Sequence, residues 1–219
     1  MTDVVPHYPT PTARGIDLGV HIVGLTFALF GGGIMLGVTC TLGSLSRIAS
    51  VAIYVGGLIA MLALSTAYNF SKPRWRPLLR RFDHAGIFIM IAGSYTPFTT
   101  QRLHGAWSIG MTVAVWTLAG LGVAGKLFLP GLGRKFWIAI YLALGWLALV
   151  AIEPMIDGAS WSAIALLGIG GLVYSTGAIF YIMKKLKFRR AIWHGHVVGG
   201  SMIHYAAVLV GVVLARAAG

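Results

Sequence analysis

Apolar residues fall in long blocks separated by short polar breaks. The first block covers residues 16–38, and six more follow at 47–68, 84–100, 107–126, 135–152, 161–183 and 193–216. The first is long enough for one helical crossing of a hydrocarbon core ~30 Å thick, which takes about 20 residues. The third is short and contains Pro97, a residue that membrane helices tolerate near their ends. The pattern predicts an all-α integral membrane protein, a seven-transmembrane helix bundle occupying residues 16–219. Residues 1–15, MTDVVPHYPTPTARG, lack the charged start, short apolar core and small-residue cleavage site of a signal peptide. Their Pro and Thr content predicts a disordered or extended lead-in.

Composition fits this solvent. The chain is 58% hydrophobic and 10% charged, with mean hydropathy +0.84. Soluble domains carry about 25% charged residues, so this chain cannot cover a water-facing surface. A net charge of +12 would suggest nucleic acid in a soluble protein, but here the cations sit in short blocks between apolar runs. That placement is the membrane-topology use of Lys and Arg, and it excludes a nucleic-acid partner.

The cations also orient the bundle. On a seven-crossing path Arg14, the 72–81 loop (Lys72, Arg74, Arg76, Arg80, Arg81), the 126–135 loop (Lys126, Arg134, Lys135) and the 184–190 loop (Lys184, Lys185, Lys187, Arg189, Arg190) share one side. Only Arg47, Arg102 and Arg216, of 17 Lys and Arg residues, fall on the other. The positive-inside rule makes the basic side cytoplasmic, with the N-terminus inside and the C-terminus outside. Basic cytoplasmic loops favour anionic headgroups, and membrane lipid is the expected partner.

Small and aromatic residues read as packing and anchoring. Glycines inside the runs, among them Gly31–Gly33, Gly56, Gly57, Gly170, Gly171, Gly199 and Gly200, let helix backbones approach in lipid. Trp107, Trp137, Trp161 and Trp193 lie near run ends, where amphipathic rings favour the interface. The single Cys40 has no partner for a disulfide or a thiolate metal site, and is expected to pack.

Ionisable residues at run ends are the functional candidates. Asp17 and His21 are four apart and share a helix face, as do Ser65 and Asn69, and Arg190 and His194. Asp83 and His84 open the third run. Four helices thereby bring polar side chains to one depth on the basic side. His204 lies ~15 Å deeper than His194 at 1.5 Å per residue, where a helix–helix hydrogen bond is its expected role. His196, two residues from His194, points away from it.

The segments DLGVHIVGL, LSTAYN, FDHAGIFIMIAGSYTPF and AIWHGHVVGGSMIHY resemble the corresponding segments of the hemolysin III family. That family is the bacterial branch of the group containing the progestin and adiponectin receptors. The resemblance covers nearly the whole chain and implies seven helices with a cytoplasmic N-terminus. It also implies zinc, bound by a histidine four residues after a serine in the second helix and by a His-x-x-x-His at the start of the seventh, with an aspartate opening the third. Ser65, Asp83 and His194 match that pattern. Asn69 and Arg190 stand where the other two histidines should be.

Those departures bear on the metal. Catalytic zinc takes three protein ligands and keeps an open position; the amide oxygen of Asn69 is a poor substitute for imidazole. The Arg190 guanidinium has five donors and no acceptor. Only His194 of the three family ligands remains, so the zinc site is expected to be degenerate. Arg190 would put a fixed positive charge where the family has its metal, paired with Asp83.

The leading functional expectation is a non-catalytic protein of membrane-lipid sensing or homeostasis. The alternative is a zinc-dependent, ceramidase-like hydrolase of lipid amides, with Ser65, Asp83 and His194 as catalytic residues. The family's name also implies a cytolysin or pore, although no run is an amphipathic crossing.

Reporter fusions test the topology. A fusion after Gly219 is expected to report from outside and one in the 184–190 loop from the cytoplasm; a cytoplasmic signal from the C-terminus contradicts the orientation.

Overall fold

Several helices begin where a hydroxyl residue meets an apolar run. Thr10 Oγ1 accepts from the amide of Ala13 at 3.1 Å, Ser44 from Arg47 at 3.4 Å and Ser160 from Ala163 at 3.3 Å, each satisfying a donor the first helical turn leaves free. The computed structural model describes residues 7–129, 131–183 and 185–215. Its helices are α1 (Pro11–Leu42), α2 (Leu45–Phe70), α3 (Arg76–Gln101), α4 (Gly105–Phe128), α5 (Arg134–Gly145), α6 (Ile152–Gly158), α7 (Trp161–Ile182) and α8 (Arg189–Val208). Short 3-10 segments occupy Pro73–Trp75 and Leu147–Ala151, and α8 ends in a π-turn at Leu209–Val213. Residues 1–6 of the expected lead-in, Lys184 and Arg216 lie outside the described residues.

Consecutive helices α1 to α4 pack side by side, α7 packs on α8, and α8 returns to α1. The bundle therefore closes on itself. Six segments are long and apolar enough to cross a membrane: α1, α2, α4, the α5–α6 stretch Arg134–Gly158, α7, and α8 with its π-turn. The remaining long helix, α3, starts at Arg76, eight residues before its apolar run, and so carries Arg80, Arg81 and Asp83 within its first turns. Its apolar stretch is held inside the bundle, with Phe88 and Ala92 fully buried.

Close backbone approach explains how α3 enters. A Cβ on Gly57 would lie 3.4 Å from the Ile89 carbonyl oxygen, one on Gly86 3.4 Å from Met61 Cα, and one on Gly93 3.3 Å from the Ile53 carbonyl oxygen. These three glycines let α2 and α3 touch along their length, the use of small residues expected for helices in lipid. Gly33, Gly56 and Gly168 instead face open space.

The fifth apolar run is not one helix. It breaks after Gly145, where Tyr95 of α3 inserts its hydroxyl. Tyr95 Oη lies 3.0 Å from the Leu144 carbonyl and 2.9 Å from that of Gly145, and accepts from the Ala148 amide at 2.8 Å. Irregular backbone at membrane depth persists only where protein groups satisfy it, and Tyr95 does so here. Two smaller expectations are also corrected. Trp137 is buried against Lys126 rather than placed at a lipid interface, and Cys40 is exposed.

Replacing Gly86 or Gly93 by Leu drives a side chain into the α2 backbone. Each change is expected to destabilise the protein by about 1–3 kcal/mol, the usual cost of overpacking. Gly56→Leu, which meets nothing, is expected to be neutral in thermal unfolding in detergent.

Candidate functional site

The polar ends of α1, α2, α3 and α8 converge at one end of the bundle. Asp17 sits at their centre, with its side chain fully buried. His194 Nδ1 of α8 donates to Asp17 Oδ1 at 2.6 Å, and the Tyr8 hydroxyl donates to Oδ2 at 2.5 Å. His21, one turn on, donates Nδ1 to the Asp17 carbonyl at 2.8 Å. Both imidazoles are therefore oriented through Nδ1 by Asp17, and both keep an Nε2 lone pair. That of His21 lies 3.4 Å from Ser65 Oγ.

A second network lies alongside, around Asn69 and Arg190. Arg190 Nη1 donates to Asn69 Oδ1 at 3.2 Å, Nε donates to the His7 carbonyl at 3.1 Å and Nη2 to His7 Nδ1 at 3.3 Å. His7 Nε2 donates in turn to Asn69 Oδ1 at 3.2 Å. Asn69 Nδ2 closes back on Ser65, 3.0 Å from its carbonyl and 3.4 Å from its hydroxyl. The expected Arg190–Asp83 pair is not formed: among the described residues no Lys or Arg lies within 4.0 Å of a carboxylate, and Asp83 approaches His84 Nε2 instead, at 4.0 Å. Arg190 finds neutral acceptors from α2 and the N-terminal segment, because its first-turn position on α8 faces Asn69.

Of the sequence candidates, Ser65, Asn69, Arg190 and His194 meet in these networks. Asp83 is buried and lines the adjoining cavity. Among the described residues His204 makes no hydrogen bond to another helix; its Nδ1 donates to the Gly200 carbonyl within α8 at 3.0 Å, while its ring packs beside Tyr174 of α7. The sequence places Asp17 and His21 among the ionisable candidates at the run ends and on one helix face, but the catalytic and metal assignments drawn from it rest on Ser65, Asp83 and His194 and include neither. The i, i+4 spacing of a carboxylate and an imidazole inside an apolar run was the signal. Nothing in the sequence pointed to His7 and Tyr8.

A cavity of about 500 Å3 opens beside the cluster. His21, Ser65, Asn69, Asp83 and His194 line its polar end, while Met90, Phe98, Met155, Ile164 and Leu167 line its depth. Along α3 alone, from Arg80 to Phe98, the lining extends roughly 27 Å at 1.5 Å per residue.

A family model described as haemolysin-III related matches residues 11–205. The chain belongs to this family. It is 36% identical over 168 residues to "Hemolysin-3 homolog" of Bacillus subtilis (strain 168), covering 76% of this chain and 79% of that protein. It is 34% identical over 168 residues to "Hemolysin-3" of Bacillus cereus, covering 76% and 77% respectively. Together with its apolar helices, membership makes this a multi-pass membrane protein.

The family's zinc can be tested against these side chains. At Asn69 and Arg190 the residues do not fit, since a guanidinium fixed between Asn69 and His7 places a permanent cation and five N–H donors there. Asp17, His21 and His194 are a different matter: each offers a ligand atom, all within 4.8 Å of one another and all buried. Two imidazoles and a carboxylate suit a divalent transition metal.

The N-terminal segment is held to the site through a neutral histidine. Burial, and then the neighbouring Arg190 charge, push His7 down to about 4. A detached segment titrates near 6.5, so attachment is strongest above pH 6.5 and weakens as pH falls from 6.5 toward 4. Hydrogen exchange at the amides of His7, Tyr8 and Thr10 is expected to accelerate as pH falls across that window in the wild type, and to stay flat with pH in His7→Asn, after correction for intrinsic exchange.

Proposed function

We propose that the protein holds a membrane lipid inside its bundle, and acts in lipid sensing or homeostasis as a seven-crossing protein of the bacterial inner membrane. The basic end, where Arg80, Arg81, Arg134 and Arg190 gather, is cytoplasmic in this reading, and α3 is the seventh crossing. The observation that carries it is the cavity of about 500 Å3, whose lining passes from the polar cluster to a mostly apolar depth. A cleft of this size, apolar with a few convergent polar groups, is the usual form of a small-molecule site. Arg190 supports the non-catalytic side of the reading, because it fills a family ligand position with a cation that binds no metal.

A second reading, zinc-dependent hydrolysis of a lipid amide, is favoured by the Asp17–His21–His194 cluster. Zinc held by these three residues would supply Lewis-acid activation of an amide carbonyl. Asp83, buried at the cavity wall, would hold the proton moved during attack. Ser65, beside His21, would orient water, and the apolar depth would take the acyl chain.

Metal analysis with an amide-lipid hydrolysis assay separates the two. The first reading expects purified protein without stoichiometric zinc and without hydrolysis, and expects Asn69→His with Arg190→His to gain about one zinc per chain. Stoichiometric zinc in the wild type that is lost in His21→Ala, together with hydrolysis, establishes the second reading and overturns the first.

A further inference from the structure

Lys126 is a cation without an anion. It lies at the end of α4, only 9% exposed, and lines the cavity. Its Nζ sits 4.2 Å from the centre of the Trp137 ring and 5.8 Å from that of Tyr141, and donates to His84 Nδ1 at 3.4 Å. All three neighbours are neutral acceptors or aromatic faces. Among the described residues no carboxylate lies within 4.0 Å of this ammonium. A buried ammonium is costly unless it is paired, and cation–π contact offsets only part of that cost.

Its surroundings deepen the imbalance. Arg80, Arg81, Arg134 and Arg190 line the same cavity, against the single carboxylate of Asp83. These cations gather at one end, and the far end is mostly apolar, with Ser94, Tyr95, Tyr174, Ser175 and His204 as its polar members. The cleft thus has the charge distribution of an anionic amphiphile in reverse: a positive mouth and a long hydrocarbon-like interior that matches the reach of an acyl chain.

We propose that the cleft binds a lipid with an anionic phosphate headgroup, the phosphate pairing with Lys126 at the mouth and the acyl chain lying along α3 toward Phe98 and Met155. The inference rests on the lipid-holding reading above and names the ligand's chemistry. Arg80, Arg81 and Arg134 supply the planar donors that suit phosphate oxygens, while Lys126 contributes a buried point charge that is screened less than an exposed one.

Binding by purified protein in non-ionic detergent tests this, with three probes: oleoyl lysophosphatidate, monooleoylglycerol and inorganic phosphate. The two lipids share a chain and differ in the phosphate. Wild type is expected to bind the lysophosphatidate at least about tenfold more tightly than the glycerol ester, the gain one charge-assisted contact provides, and inorganic phosphate is expected to give no thermal stabilisation. Lys126→Met is expected to lose the preference and Lys126→Arg to keep it. Equal binding of the two lipids overturns the phosphate headgroup and leaves the lipid-holding reading standing. Failure of both lipids to bind overturns both. Stabilisation by inorganic phosphate equal to that by the lysophosphatidate makes this a free-anion site and overturns the lipid assignment. The wild-type comparison decides the matter even if the Lys126 variants do not fold.

Discussion

A carboxylate buried in an apolar bundle must have both oxygens occupied, and Asp17 imposes that requirement on everything around it. Removing one partner from such a group costs about 3–5 kcal/mol, so the groups that satisfy Asp17 are held where they are. His194 brings in α8, Tyr8 brings in the N-terminal segment, and the Asp17 carbonyl fixes His21. The closure of α8 on α1 thus has a specific bond at its polar end, beyond the packing of Ala28, Val208 and Val212 along the apolar length. Through His21 the same constraint reaches Ser65, and through Ser65 it reaches Asn69.

That chain of contacts leads to Arg190, where this protein departs from its family's pattern. The guanidinium ties α8 to α2 and to the N-terminal segment through hydrogen bonds that need no ion. Two helix ends are joined there by a side chain. The two Nε2 lone pairs of His21 and His194 remain one turn deeper, next to the cleft. The site is therefore two layers: a cationic layer at the mouth and an imidazole–carboxylate layer beneath it. Both face a cavity whose remaining wall is mostly apolar. Lys126, near the end of α4, adds a further cation to the cavity lining.

Much of this was legible in the chain. The apolar blocks located the long helices, and the placement of polar residues at block ends brought Ser65, Asn69, Asp83, Arg190 and His194 to one end of the bundle. What periodicity could not show was partner choice. Whether Arg190 met Asp83 or Asn69 depended on how α8 rotates against α2, which no spacing along one helix encodes. Tyr95 was equally silent: its hydroxyl splits the fifth block by satisfying three backbone groups 49 to 53 residues away in sequence. His7 and Tyr8 sat in a Pro- and Thr-rich lead-in, where composition argued against fixed structure. Their anchoring comes from buried acceptors that only the assembled bundle provides. Trp137 read as an interfacial anchor because its position near a block end is also that of a residue packed over a buried lysine.

Anomalous scattering at the zinc edge from crystals of the purified protein tests this arrangement. The Arg190 guanidinium is expected between Asn69 and His7, with no zinc peak at that position and with elongated lipid density along α3 in the cleft. A zinc peak coordinated at Asn69 and His194 with Arg190 displaced, or a cleft containing only ordered water, would contradict it.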